Sequence, residues 1–323
     1  MSLKQGRLGL LGLGIESTAG IVVPATTTIP FITNTLEGKH EIQKDIAARG
    51  SRASNFTSVV GKQWGEGDVE VNVDLLNIGF FLKLATGTEN VNTIVSSQVF
   101  DHVFYTTVSG NSPLTASVYN YQGVDTQVYA SVATDKLELS IKDAFMTAKS
   151  TLKGFFPTSG SFAATTVSGT LINFDNYKIQ LGANLVAAAV ASKTAISNFT
   201  VTINNNVEVV FESGQSTPTR VFYKQLEVLG EFTQFFETAT QRDNYYNLNK
   251  QSLIITASGM ALPSGNVEQM TINLAKLVYT DVKIDTGLEN FFAVKTSFIA
   301  EVDVLQGKQY DIVLRNYRAT TYT

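Results

Sequence analysis

Between residues 69 and 74 the chain alternates strictly: Val69, Val71 and Val73 are apolar, and Glu70, Asn72 and Asp74 are polar. A period of two predicts a strand with one buried and one wet face. The next stretch, Leu75 to Ala85, loses the alternation and gains apolar residues three and four apart, which predicts a helix ending near Gly87. The same succession recurs about half a chain later. Gly67-Asp68 opens the first strand, and Gly230-Glu231 opens a second that runs through Phe235 toward a helix predicted over 238–249. Two copies predict a tandem pair of similar units rather than a solenoid.

Further strands are predicted at 56–60, 103–107, 114–121 and 128–142. In the last of these Leu137, Leu139 and Ile141 face one way and Lys136, Glu138, Ser140 and Lys142 the other. Residues 199–203 and 207–211 flank Asn204-Asn205-Asn206 and read as a hairpin. Strands follow at 221–229, 253–257, 270–279, 291–303 and 310–316. Pro24 and Pro30 demote 24–36 to an edge strand or arm. Residues 40–48 read as a short helix or ordered loop, and 143–153 as a helix or long arm. A Gly/Ser/Thr-rich stretch at 157–169 is the linker candidate. The expected organisation is an arm (1–23), a first unit (24–156), the linker (157–169) and a second unit (170–323). The fold class is mainly β, with flanking helices.

Composition supports strands and narrows the chemistry. Charged residues are only 16% of the chain, which points to a surface largely covered by neighbouring subunits. A net charge of −4 argues against a basic groove that grips phosphates. With no cysteine, disulfides, thiolate catalysis and Cys-ligated metals are excluded. The run Leu8 to Leu13, near Lys4 and Arg7, loosely imitates a signal peptide but is short, broken by glycines and lacks a clean cleavage site. It reads instead as a flexible apolar arm that docks on a neighbour. No stretch approaches the ~18 to 20 apolar residues of a membrane span.

Candidate catalytic patterns dissolve on inspection. His40 and His102 stand alone, without partners at metal-ligand spacing. Gly12-Leu13-Gly14 lacks the third glycine of a dinucleotide loop, and no Gly-x-Ser-x-Gly elbow is present. Asn55 and Asn198 open chance sequons within strand-like segments. Glu301 with Asp303, and Glu70 with Asp74, read as solvated sheet faces rather than a calcium or glycosidase pair. Trp64, the single tryptophan, is the one platform for a carbohydrate-binding alternative. Neither a cofactor nor a catalytic site is expected.

Four stretches together resemble the tail tube (major tail) proteins of long-tailed bacteriophages. They are Gly14-Ile15-Glu16-Ser17-Thr18-Ala19-Gly20 with the prolines after it; Gly65 to Gly87; His102 to Tyr105 with Leu114 to Gly123; and Ser197 to Phe211 with the Gly230 strand and Ile312 to Tyr317. The resemblance implies a β-sandwich or partial barrel with a flanking helix. Its inward strands join those of neighbouring subunits into a ring-wide barrel, and stacked rings form a virion tube, assembled in the host cytoplasm, that conducts double-stranded DNA. It also implies a tape-measure protein inside the tube, and terminator and baseplate proteins at its ends. Rings of this family are typically hexameric, so two units per chain predict a trimeric pseudo-hexamer, with a hexamer of an elaborated single domain as the alternative. Another tail or secretion-tube ring component, such as a terminator, a baseplate ring protein or a secretion-system tube protein, is the nearest other reading. The polar sets Glu70, Asn72, Asp74 and Lys136, Glu138, Ser140, Lys142 are the candidate lumen-facing residues.

Overall fold

Paired strands take up most of the chain, as its Thr-, Val- and Phe-rich segments favour. The computed structural model describes residues 6–47, 49–50, 52, 56–107, 114–141, 144–163, 168–285, 292–304 and 306–323. Strands β1 (Leu10–Ile15), β2 (Thr27–Ile29), β3 (Thr33–Asn34), β4 (Glu37–Lys44) and β5 (Ser58–Asn72) precede helix α1 (Ile78–Thr86). Then come β6 (Thr88–Val95), β7 (Val99–Tyr105), β8 (Ala116–Tyr121), β9 (Thr126–Ile141), β10 (Thr147–Gly154) and β11 (Thr158–Gly160). The second half opens with β12 (Tyr177–Gly182), helix α2 (Leu185–Val190), β13 (Ile196–Asn204), β14 (Val207–Val210), β15 (Arg220–Tyr223) and β16 (Glu227–Phe235). Helix α3 (Thr240–Tyr246), β17 (Gln251–Ala261), β18 (Val267–Asp285), β19 (Ala293–Ala300) and β20 (Tyr310–Asn316) complete it.

The two halves share one topology. In the first, neighbouring strands run β1-β8-β9-β10-β5-β4; in the second they run β12-β17-β18-β19-β16-β13, every contact antiparallel. Irregularities repeat as well. The β9–β10 ladder slips beside Asp135, between Thr151 and Leu152, and the β18–β19 ladder slips beside Thr280. Because Gly67 pairs Leu152 and Gly230 pairs Phe298, these two bulges fall at the same place in each unit. Each bulge falls where a long strand passes from one set of neighbours to the next within the same sheet. β9 leaves β8 and β11 for β10, and β18 leaves β17 and β20 for β19. Both glycines lie inside their strands, since β5 begins at Ser58 and β16 at Glu227.

The halves are fused rather than tethered. β9 pairs β13 from Ile141 against Phe199 to Lys136 against Asn204, and β7 pairs β20. One apolar cluster runs from Leu11 to Tyr322 through Val71, Phe81, Leu139, Phe232 and Ile272. Within the expected linker, β11 pairs β9, and Gly169 donates its N–H to Asp74; residues 164–167 lie outside the described set, as do Asn55 and Lys142.

Several local expectations change. Residues 40–44 do not form a helix, because Glu37–Lys44 is edge strand β4, where charged side chains are tolerated on the solvent side. The segment 143–153 contributes β10; small buried residues, Ala148 and Ser150, weaken its period-two signal. β13 and β14 make no hairpin, since β9 and β16 already occupy both edges of β13, and β14 pairs β15. The Leu8–Leu13 run is not a docking arm. It enters β1 between β2 and β8, with Leu11 and Leu13 buried, and Glu16 accepts hydrogen bonds from Thr115, Ser117 and the Ser131 N–H.

Candidate lumen face

Strands β4, β5, β10, β9, β13, β16, β19 and β18 lie side by side in that order. Directly opposed residues share a face, so the register maps it. Across the first unit Glu70 meets Lys149, which meets Glu138, which meets Thr202 on β13; the next polar row joins Asn72, Thr147, Ser140 and Thr200. From Thr200 the row passes to Glu231, Ser297 and Asp281 in the second unit. The opposite face holds Val69, Val71, Leu137, Leu139, Val201, Phe232 and Phe298, all buried. Helix α1 packs on β9, and α3 packs on β18, where the Tyr279 hydroxyl donates to Gln241 at 2.8 Å. The polar face is therefore the side away from the core and the helices.

Of the candidate residues, Glu70, Asn72, Lys136, Glu138 and Ser140 fall together on this face. Asp74 leaves it. Its carboxylate accepts from the backbone N–H of Leu76 (2.7 Å), the Asn77 side chain (3.1 Å) and the Gly169 N–H (2.6 Å), and so organises the turn into α1. The sequence reading missed Asp68, Lys149, Glu231, Asp281, Lys283 and Lys295. Alternation from Thr147 to Lys153 was the available signal for Lys149.

Charge on the face is countered locally. Lys149 contacts Asp68, Lys136 contacts Glu138, Lys295 contacts Glu231 and Lys283 contacts Asp281, each at 2.8 Å. Partial burial pushes the Asp68 carboxyl up, but hydrogen bonds from Lys149 and Thr151 and the lysine charge hold it below the usual range. Lys149 is raised in turn by its bond and charge contact with Asp68. Each of these four lysines thus meets an acid of its own chain, so among the described residues they form no unopposed basic track for phosphates.

Elsewhere the chemistry-bearing residues have structural roles. His102 is buried, with Nδ1 2.7 Å from Glu89 and Nε2 2.8 Å from the Arg318 carbonyl. Among the described residues no cluster of His, Asp and Glu could hold a metal ion. Trp64 is half-buried, donates its indole N–H to Glu66 and packs in a T-shaped arrangement with Phe211. No helix in the described residues is long and apolar enough to cross a membrane.

A family model described as phage tail tube protein matches residues 6–291, a span that includes every strand from β1 to β18. No curated protein matches the chain.

Proposed function

This chain belongs to the phage tail tube protein family, and on that premise we propose that three copies form a pseudo-hexameric ring whose polar face lines a channel for double-stranded DNA. A protein of this family is a structural component of the virion tail and works by self-assembly into a stacked tube with other tail proteins. One observation carries the finer reading. Two units of the same topology are already joined edge to edge in one sheet, with a continuous polar face on one side and the core and helices on the other. Continuing that sheet around a ring removes its open edges and leaves the polar face as the inner wall. Each chain supplies two of six units, so three chains suffice.

The balanced charge of the wall suits passage without binding, because every neutralised phosphate would add a point of adhesion. A tape-measure protein would occupy the same lumen during assembly in the host cytoplasm, and terminator and baseplate proteins would meet the end rings. Stacking is supported by the outer part of the β4–β5 ribbon and the residues after it, where Ile42, Ile46, Val59 and Val60 are all more than half exposed.

Negative-stain microscopy of the concentrated protein tests this reading. Tubes built from three-fold rings are expected. Single rings that never stack would favour a terminator or baseplate role, and a monomer at every concentration would overturn assembly altogether.

A further inference from the structure

The middle of the chain contains a joint that its two ends leave unmade. Along Lys136–Ser140, β9 is paired on both sides, by β10 on one and β13 on the other. Its counterpart β18 is paired by β19 along Asp281–Asp285. On the other side β17 stops at Leu277, and no strand among the described residues covers Val278 to Ile284. The strand that covers β9 is β13. The counterpart of β13 is the β3–β4 segment, which pairs β5 alone among the described residues. Each chain therefore ends in an open acceptor edge at β18 and an open donor strand at β4.

Equivalent residues are set independently on the two strands. A Cβ on Gly67 would lie 2.4 Å from the Thr35 carbonyl oxygen, and one on Gly230 would lie 2.4 Å from that of Thr200. Thr35 thus corresponds to Thr200, Glu37 to Thr202 and Lys39 to Asn204, as the β3–β5 and β13–β16 registers also require. On the acceptor, the shared bulge matches Lys136 to Asp281 and Glu138 to Lys283. The internal joint pairs Thr202 with Glu138 and Asn204 with Lys136. Transferred to the open edges, Glu37 of one copy faces Lys283 of the next, and Lys39 faces Asp281.

Both transferred pairs unite opposite charges. In the single chain the same four groups pair along their own strands, Lys39 with Glu37 and Lys283 with Asp281, each at 2.8 Å. Apolar burial points the same way: Val282 and Ile284 are half-buried, whereas their counterparts Leu137 and Leu139 are 0% and 1% exposed beside β13. Pairing begins at Glu37, because the N–H of Leu36 is bonded to the Asn34 side chain and its carbonyl to Asn120.

We propose that β4 of one subunit adds antiparallel to the open edge of β18 in a second copy of this chain, in the register Glu37 to Lys283 and Lys39 to Asp281. The proposal rests on the ring-forming reading and specifies which edges meet and where.

The absence of native cysteine makes the test direct. Chains carrying Glu37→Cys are co-assembled with chains carrying Lys283→Cys, oxidised mildly, and analysed by mass spectrometry of linked peptides. A Glu37→Cys to Lys283→Cys disulfide is expected in the tube fraction. Shifting the second cysteine to Asp281→Cys or Asp285→Cys moves it about 7 Å along the strand and should abolish the link. In parallel, Lys283→Glu should raise the concentration needed for assembly roughly five-fold through like-charge opposition, and adding Glu37→Lys should restore it. Tubes that form without the disulfide, or that link in a shifted register, overturn the proposal while leaving the tube function standing. Failure of the unmodified chain to form rings overturns the tube reading itself.

Discussion

Gly67 and Gly230 occupy one position of a repeated unit, each pressed against a threonine carbonyl at a distance only hydrogen allows. The obstacle is backbone in both cases, so it cannot swing aside. Gly67→Ala and Gly230→Ala should each destabilise the chain by about 1–3 kcal/mol, the usual cost of overpacking. At roughly 2 °C per kcal/mol for a chain of this size, calorimetry should register a lower Tm for both. Gly6→Ala, with nothing within 4 Å of the added carbon, should leave Tm unchanged.

Tyr322 ties the last described segment to the core. Its ring is fully buried between Phe80, His102 and Phe104, and its hydroxyl donates to the Leu76 carbonyl at 2.8 Å and accepts from Asn316 at 2.9 Å. Tyr322→Ala should cost about 3–5 kcal/mol in denaturant melts, through lost packing and the cavity left behind. Tyr322→Phe should cost about 1–3 kcal/mol, because two buried polar partners lose a bond. Equal losses in the two variants would show that packing is not the larger contribution.

Glu89 predicts an acid-sensitive core. Burial pushes its carboxyl up, but the His102 hydrogen bond, the charge and bond of Lys83, and the Tyr322 N–H outweigh that and hold it below the ordinary glutamate value. A carboxyl depressed in the folded state contributes stability that is present above its unfolded pKa and lost as pH falls through the folded value. Stability measured by denaturant titration should therefore fall as pH drops from about 5 toward 3, more steeply than in Glu89→Gln. Parallel curves for the two proteins would contradict this assignment.

The charge balance of the polar face can be tested by upsetting it. Glu70→Lys, Glu138→Lys and Glu231→Lys together place unopposed lysines along the proposed wall. Tubes should still form, since these side chains lie outside the core. They should now retain double-stranded DNA at low salt and release it as salt rises, measured by co-sedimentation. Assembled tubes with no change in retention would show that this face does not meet DNA.

Much of the fold was legible because strand alternation is a local property. Val69, Val71 and Val73 announced β5, Leu137, Leu139 and Ile141 announced β9, and α1 ends at Gly87 in the left-handed conformation as the glycine suggested. β4 was hidden by its charged, helix-compatible residues, and β10 by alanine and serine at its buried positions. The lumen-face candidates on β5 and β9 were found by the same alternation, but their partners on β10, β16, β18 and β19 were not. Asp74 kept the period of its strand yet turned its carboxylate into the α1 turn, an outcome set by donors from Leu76, Asn77 and the distant Gly169.

The sequence by itself determined the strand-rich class, the repeated glycine-strand-helix block and the family resemblance, because periodicity and motif order are written along the chain. Only the tertiary structure decided how the two blocks relate. Pairing between Leu139 and Val201 is a long-range choice among many apolar edges of similar local character, and no residue pattern names its partner. Once that pairing is made, the repeat becomes one continuous sheet with a shared polar face, and the register at its centre specifies what its open ends require.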